Sequence, residues 1–384
     1  MSKKKIAAIV LVTMMFTFAL TLAAIGMALG LTGAKIGDMA RFFGVMRLIE
    51  LRYVNETNPT ALVDGAISGM VRSLDDPHSI YLEPSKYRQL MEHTEGAFGG
   101  IGVYMGFKDN KVSVMSVMEG SPAEKAGIKP NDEIVAVDGV PVSKMQPEEV
   151  AMHIRGEINT DVILAIRRDG EQDADYTIKR DIIQVKTVLG KKLESGQGYI
   201  RIASFSEKTG EEFKTAYQAL QQEGLPGLII DLRENPGGLI TSCVEVADQI
   251  LPEGPIVSVI ERDGSKEEYE SHLKQKTCPM VVLIDGNSAS ASEILAGALQ
   301  DRKAATIVGT KSFGKGSVQM VMPMFHDDAV KLTVAKYYTP SGRSIDGVGI
   351  EPDVEADLPI DAETDTQLIK AEEVLAEKIT SHGK

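Results

Sequence analysis

MVVLIDGNSASASEILAGAL, Met280 to Leu299, is the stretch whose reading decides the fold. Met280 to Ile284 is an apolar run bounded by Pro279 before and Asp285-Gly286-Asn287 after, the length and the punctuation of a short buried strand ending in a turn. Ile294, Leu295, Ala298 and Leu299 then fall at helical spacing, so a helix begins inside the serine run Ser288 to Ser292. A serine at a strand-to-helix turn faces unpaired backbone amides and the positive end of the helix dipole. That is a sound place for a nucleophile whose attack creates an oxyanion. Ser290 with Glu293 also fits the S-x-x-E capping box, which needs nothing beyond closing the helix end. On this stretch alone, capping is the simpler reading.

A serine nucleophile needs a base. The six histidines, His78, His93, His153, His272, His326 and His382, lie in turns, in the first half, in a charged stretch and in the tail. No G-x-S-x-G elbow is present. Lysine is the better base, because its pKa falls readily on burial. Lys315, within Ser312-Phe313-Gly314-Lys315-Gly316-Ser317, would have to titrate about 3 below its ordinary ~10.4 to act near neutrality. Phe313 and the flanking glycines are expected to wall it off from water. Gly309 to Lys315 also reads G-x-x-x-x-G-K, but Gly316 replaces the magnesium-binding Ser or Thr and a strand-like segment follows instead of a helix. A nucleotide-binding loop is therefore set aside.

Four segments lift the serine above the capping reading: NSASASEILAGALQDRKAATIVGTKSFGKGSVQ from Asn287, KLTVAKYYTPSGRSIDGVGIEP from Lys331, DLRENPGG from Asp231 and LDDPHSIYLEPSKY from Leu74. Together they resemble the C-terminal processing peptidases, the carboxy-terminal or tail-specific serine proteases that carry a PDZ domain. The resemblance runs from about Val63 to Asp353. It implies a serine-type endopeptidase with Ser290 as nucleophile, Lys315 as base and Gln319 orienting the lysine, and with no metal and no cofactor. Four residues apart on a strand, Lys315 and Gln319 would share a face. The oxyanion donors would be backbone amides of Gly237 or Gly238, with Ala291 beside the nucleophile.

The block from Phe98-Gly-Gly-Ile-Gly-Val103 onward predicts strands at Lys111–Val117, Glu133–Val137, Val162–Arg167 and Asp175–Lys179, with short helices after Ser121-Pro122 and Gln146-Pro147. It resembles a PDZ domain. By that resemblance Gly100, Ile101, Gly102 and Val103 would offer backbone amides to a peptide's terminal carboxylate, the peptide adding as a strand at the sheet edge. In the second half, apolar strands at Gly198–Ile202, Gly227–Leu232, Met280–Ile284 and Ala305–Val308 alternate with helices, the pattern of a parallel sheet covered on both faces. Val318–Met322 and Val330–Tyr338 read as a strand pair, and Gln367–Ile379 as a terminal helix.

The fold expected is an α/β protease core of crotonase-like βα units, with an N-terminal helical segment and an inserted mixed α+β PDZ domain. The divisions are residues 1–36, a membrane anchor; 37–94, a helical region; 95–182, the PDZ domain; and 183–384, the protease core. The anchor rests on the apolar run Ile6 to about Ala34, longer than the ~20 residues that cross a bilayer. Lys3, Lys4 and Lys5 before it predict a cytoplasmic N-terminus with the remainder outside. Cleavage after Gly30 or Ala34 would instead release the protein. Gly37–Val54 and Thr60–Leu74 suggest a helical hairpin whose apolar faces serve the core or, alternatively, a homodimer contact. Cys243 and Cys278 can pair outside the cytoplasm or stay as buried thiols. A net charge of −14 argues against nucleic acid as a partner. A PDZ scaffold without activity is the remaining alternative, and the presence of Ser290, Lys315 and Gln319 speaks against it.

Overall fold

The computed structural model describes residues 5, 12–18, 20–21, 33–108, 111–168, 170–274, 277–359 and 361–382. It divides into two compact units, Met1–Tyr81 and Leu82–Lys384.

In the first unit, helix α1 (Gly33–Arg52) is followed by α2 (Pro59–Arg72). Asn58 caps α2, its Oδ1 accepting from Thr60 N–H at 2.9 Å, and Pro59 takes the first turn, where its missing N–H costs nothing. On α1, Met39, Phe42, Phe43 and Leu48 are exposed, while Met46 and Ile49 are half-buried. Most of the apolar run Ile6–Ala34 lies outside the described residues, and no helix among the described residues is long and apolar enough to cross a membrane. The short strand β1 (Ile80–Leu82) runs across the division.

The second unit opens with α3 (Pro84–Glu95), whose Thr94 carbonyl accepts from Glu207 N–H at 3.0 Å. This helix therefore belongs with the core rather than with the region 37–94. Strand β2 (Ala97–Gly100) pairs antiparallel with β9 (Asp181–Gln184), and the PDZ domain lies between them in sequence. Its sheet runs β3 (Val103–Lys108), β4 (Lys111–Val117), β5 (Glu133–Val137), β7 (Asp161–Arg167), β8 (Ala174–Lys179), with β6 (Val140–Pro141) on β5. Helices α4 (Pro122–Ala126) and α5 (Pro147–Ile154) pack over a separate core that includes Ile101, Val114, Ile134, Val150 and Leu164.

The α/β core is a sheet in the order β10 (Val188–Lys192), β11 (Gly198–Ile202), β12 (Leu228–Asp231), β15 (Met280–Ile284), β16 (Ala305–Gly309), β19 (Val354–Glu355). All pairs but β10–β11 are parallel. Alternate residues go to opposite faces. Ile230, Val282 and Ile307 meet α6 (Thr209–Gln222), α7 (Ile240–Ile250) and α8 (Ala291–Asp301), whereas Ile229, Val281 and Val308 meet α9 (Thr366–His382) through Ala371 and Leu375. Burial on both faces is why β15 is apolar at every position. A second, antiparallel sheet pairs β17 (Ser317–Pro323) with β18 (Ala329–Tyr338), β18 with β13 (Gly254–Glu261), and β13 with β14 (Lys266–Ser271). Cys243 and Cys278 are free thiols.

Arg233, at the end of β12, ties the sheet to α9. Its guanidinium reaches Asp231 at 2.7 and 2.9 Å and Asp365 at 2.8 Å through two nitrogens. Burial pushes the Asp365 carboxyl up, but its bond to Arg233 and the Leu368 N–H outweigh this and hold it below the ordinary range. A depressed folded-state pKa gives stability that is present above the unfolded pKa and lost as pH falls through the folded one. Asp365→Asn should therefore lower the melting temperature at neutral pH, with a stability loss of about 1 kcal/mol after solvent screening of the part-exposed carboxyl. The gap from the parent should close in acid below about pH 4. Thermal melts by circular dichroism across that range check this; a gap that widens in acid would contradict it.

Candidate active site

Ser290 caps α8 with φ 56° and ψ −115°, a conformation uncommon outside glycine. Such backbone costs about 1–3 kcal/mol and persists only where its surroundings over-determine it. Here they do. Ala289 N–H donates to the Asn235 carbonyl at 3.0 Å, and the Ser290 carbonyl accepts from Glu293 and Ile294 N–H at 2.8 and 2.9 Å. The other two serines of the run are buried and committed: Ser288 Oγ donates to the Leu232 carbonyl at 2.8 Å, and Ser292 Oγ to the Asn235 carbonyl at 3.0 Å. Ser290 is the half-buried one of the three.

Glu293 is the capping-box partner foreseen for Ser290, and it does more than cap. Its side chain is 1% exposed. Oε2 accepts from Ser290 N–H at 2.8 Å and from Lys315 N–H at 2.9 Å. Oε1 accepts from Ser312 Oγ at 2.6 Å and from Gly314 N–H at 2.7 Å. Ser312 Oγ also accepts from Ile350 N–H at 2.7 Å, so its own proton is free to face the carboxylate. One carboxylate thus fastens the backbone of Ser290 to the backbone of Lys315. Burial pushes the Glu293 carboxyl above its ordinary range, and the four donors pull against that without cancelling it.

The turn after β12 supplies the other wall. A Cβ on Gly237 would lie 2.8 Å from Ser290 Cβ and 2.6 Å from the Ala289 carbonyl oxygen, and one on Gly238 would lie 2.0 Å from the Phe205 carbonyl oxygen. Only glycine lets these backbones approach so closely. Gly237 N–H donates to Asn235 Oδ1 at 2.9 Å, which removes it from the expected oxyanion donors. The N–H groups of Gly238 and Ala291 find no acceptor among the described residues. Asn235, fully buried, also donates from Nδ2 to the Ile202 carbonyl at 2.8 Å. It knits β11, the glycine turn and the nucleophile turn together.

Lys315 is half-buried, and its carbonyl accepts from the Tyr337 hydroxyl. Two expectations about its surroundings need correction. Phe313 is 60% exposed and so does not wall the lysine from water. Lys315 precedes β17, which begins at Ser317, so strand alternation alone does not relate it to Gln319; the register shift opposite Val318 and Gln319 leaves the extra residue, Val334, on β18. The Gln319 amide nitrogen donates to Ser317 Oγ at 2.9 Å and to Thr333 Oγ1 at 3.3 Å. The amides of Gly314 and Lys315, which a phosphate would need, already serve Glu293.

In the PDZ domain, Gly100 pairs with Asp181, Ile101 is buried in the domain core, and Gly102 stands at φ 80° ahead of the edge strand β3, which begins at Val103. The Ile101 and Gly102 carbonyls accept from Ala123 and Met118 N–H at 2.9 Å. The N–H groups of Ile101 and Gly102 have no acceptor among the described residues. Sequence reasoning missed Asn235, Tyr337 and the wider role of Glu293. An Asn directly before Pro-Gly-Gly was the available signal for the first; the other two were hidden in ordinary helix-cap and strand patterns.

Glu293→Gln keeps the shape but turns an NH2 group toward two of four donors, at about 1–3 kcal/mol for each group left unpaired. Hydrolysis of a peptide substrate should fall by about 100-fold or more, since a displaced reacting group costs that much. Circular dichroism should be unchanged, and parent-like turnover would remove Glu293 from the site. Because its folded pKa is raised, this carboxyl contributes most to stability below the unfolded pKa, and that contribution is lost as pH rises through the folded one. Mild acid therefore protonates Glu293 inside an intact fold, and activity should decline ahead of melting.

Three family descriptions match the chain: Peptidase family S41 over residues 196–356, PDZ domain over 113–168, and Activating protease CtpB N-terminal domain over 28–85. The Carboxy-terminal-processing protease of Bartonella bacilliformis is 41% identical over 331 residues, covering 84% of this chain and 76% of its own. The Carboxy-terminal processing protease CtpA of Bacillus subtilis is 40% identical over 357 residues, covering 91% and 77%. Among solved structures, a photosystem II D1 C-terminal processing protease superposes with a TM-score of 0.51 at 31% identity, over 86% of this chain and 90% of that one. With its PDZ domain inserted ahead of an α/β peptidase core, the chain belongs to the carboxy-terminal processing proteases and is a serine-type peptidase.

Proposed function

We propose that this chain is a membrane-anchored, extracytoplasmic endopeptidase that captures protein C-terminal tails through its PDZ domain and cleaves with a Ser290–Lys315 dyad assisted by Gln319. The observation that carries the reading is the Glu293 carboxylate oxygen shared by the N–H groups of Ser290 and Lys315, at 2.8 and 2.9 Å. Ser290 Oγ attacks the substrate carbonyl carbon while the neutral Lys315 amine takes its proton. The carbonyl electron pair moves onto oxygen, where the N–H groups of Gly238 and Ala291 stabilise it. The intermediate collapses, the leaving amine recovers the proton from Lys315, and water then hydrolyses the acyl-enzyme. No metal or nucleotide enters the cycle.

The tail-binding part rests on three features. Strand β3 is an edge that can take an added strand. The N–H groups of Ile101 and Gly102 at its start suit a terminal carboxylate. Beside the strand lies a cavity of about 260 Å³ lined by Phe107, Val142, Met145 and Val150 together with Lys108 and Lys111, which offers apolar walls and a basic rim. The names of the relatives point the same way. The anchor rests on the apolar run Ile6–Ala34 behind Lys3, Lys4 and Lys5.

A peptide ending in a free carboxylate should be hydrolysed by the full chain and bind more tightly than the same peptide amidated at its C-terminus, as read by fluorescence anisotropy. Ser290→Ala and Lys315→Ala should each abolish hydrolysis with circular dichroism unchanged. Turnover retained in both variants would sink the dyad, and equal binding of acid and amide would sink carboxylate capture. In membranes washed with alkaline carbonate the full-length chain should remain with the lipid, and its quantitative release would overturn the anchor.

A further inference from the structure

The cavity beside β3 lies at the end of that strand away from Ile101 and Gly102. Phe107, Val142, Met145 and Val150 form its walls, and Lys108 and Lys111 its rim. Among the described residues its lining holds no acid. Lys108 is exposed and makes no ion pair among the described residues. Lys111 Nζ lies 3.2 Å from Glu133 Oε2, and Arg167 stands 3.6 Å from the other oxygen of that carboxylate. Glu133 therefore keeps a cation when Lys111 turns to another partner. Glu149, in the first turn of α5, has its carboxylate on the Gln146 N–H at 2.8 Å. The rim thus presents positive charge to anything that enters between β3 and α5.

We propose that this cavity is a second reading site for the bound tail, and that it selects an acidic side chain, glutamate above all, about four residues before the free carboxylate. The inference rests on tail capture by the PDZ domain and deepens it. A tail whose carboxylate sits on the Ile101 and Gly102 N–H groups runs from the Lys108 end of β3 toward Val103, antiparallel to the strand. Each of its residues then faces one of β3, and alternate residues share a face. Val103 to Phe107 is four positions, so the residue about four before the last lies opposite Phe107, on the same face as the last one. There a glutamate lays its methylenes on the apolar wall while its carboxylate meets Lys108 and shares Lys111. Exposed ion pairs change affinity only a few-fold and are screened by salt. The site therefore discriminates among tails, and the main-chain pairing supplies most of the binding.

The test is fluorescence anisotropy with the full chain carrying Ser290→Ala, so that bound peptide stays whole. One labelled peptide has glutamate four residues before its free C-terminal residue, a second has glutamine there, and a third is the glutamate peptide amidated at its end. The glutamate peptide should bind about threefold more tightly than the glutamine peptide at low salt, and the difference should vanish in about 0.5 M sodium chloride. Lys108→Glu, a change at an exposed position, should abolish that preference and favour a peptide with lysine at the same place. Equal binding of the glutamate and glutamine peptides, or a preference that survives Lys108→Glu, overturns the proposal. Should the amidated peptide bind as well as the acid, tail capture itself falls and the second site with it. A weak amide beside glutamate and glutamine peptides of equal affinity removes the second site alone.

Discussion

A single buried carboxylate organises the peptidase site. Taking Glu293 out of water costs several kcal/mol unless its lone pairs are met. Four donors meet them, and they come from three places in the chain: Ser290 at the nucleophile turn, Ser312 on the approach to the lysine, and Gly314 with Lys315 in the lysine loop itself. The need to satisfy the charge is thus what brings the two loops together. The strained backbone at Ser290 and the exposed path of Phe313 follow from that demand, since each lies next to a donor that must point inward.

The opposite wall is organised by a neutral group. Asn235 uses its side chain on the Ile202 carbonyl and Gly237 N–H, and its own carbonyl on Ala289 N–H and Ser292 Oγ. Three consecutive sheet strands, β11, β12 and β15, end at or beside groups that this one residue joins. The carboxyl ends of parallel strands are where such folds place their ligands. The N–H groups of Gly238 and Ala291, which have no acceptor among the described residues, lie along this edge, on the two turns that Asn235 joins.

Much of this was legible in the residues. Met280–Ile284 is apolar throughout because both faces of β15 are covered, and no other placement explains five such positions between Pro279 and Asp285. The hairpin across His326–Asp328 and the terminal helix were equally plain. What stayed hidden has physical causes. Lys266–Ser271 forms β14 on the edge of the second sheet, and Lys266, Glu267, Glu268 and Glu270 are charged and exposed, so it carries no apolar period. Glu293 obeys the local rule for a helix cap, and nothing local reveals that its second oxygen serves a loop beyond the next strand. Tyr337 reads as one more aromatic in an alternating strand. The bulge opposite Val318 and Gln319 leaves Val334 of β18 as an extra residue that composition does not announce.

The pairing of β2 with β9 has a consequence for the history and mechanics of the molecule. Ala97 stands opposite Gln184 and Gly100 opposite Asp181, so the PDZ module leaves the core and returns to it on two paired strands. To the remainder of the polypeptide, the whole module is equivalent to a short loop. The module can be exchanged, lengthened or deleted without rethreading the core, and force on it reaches the core through those ladder bonds and through Arg155, whose guanidinium lies 3.6 Å from Glu92 of α3.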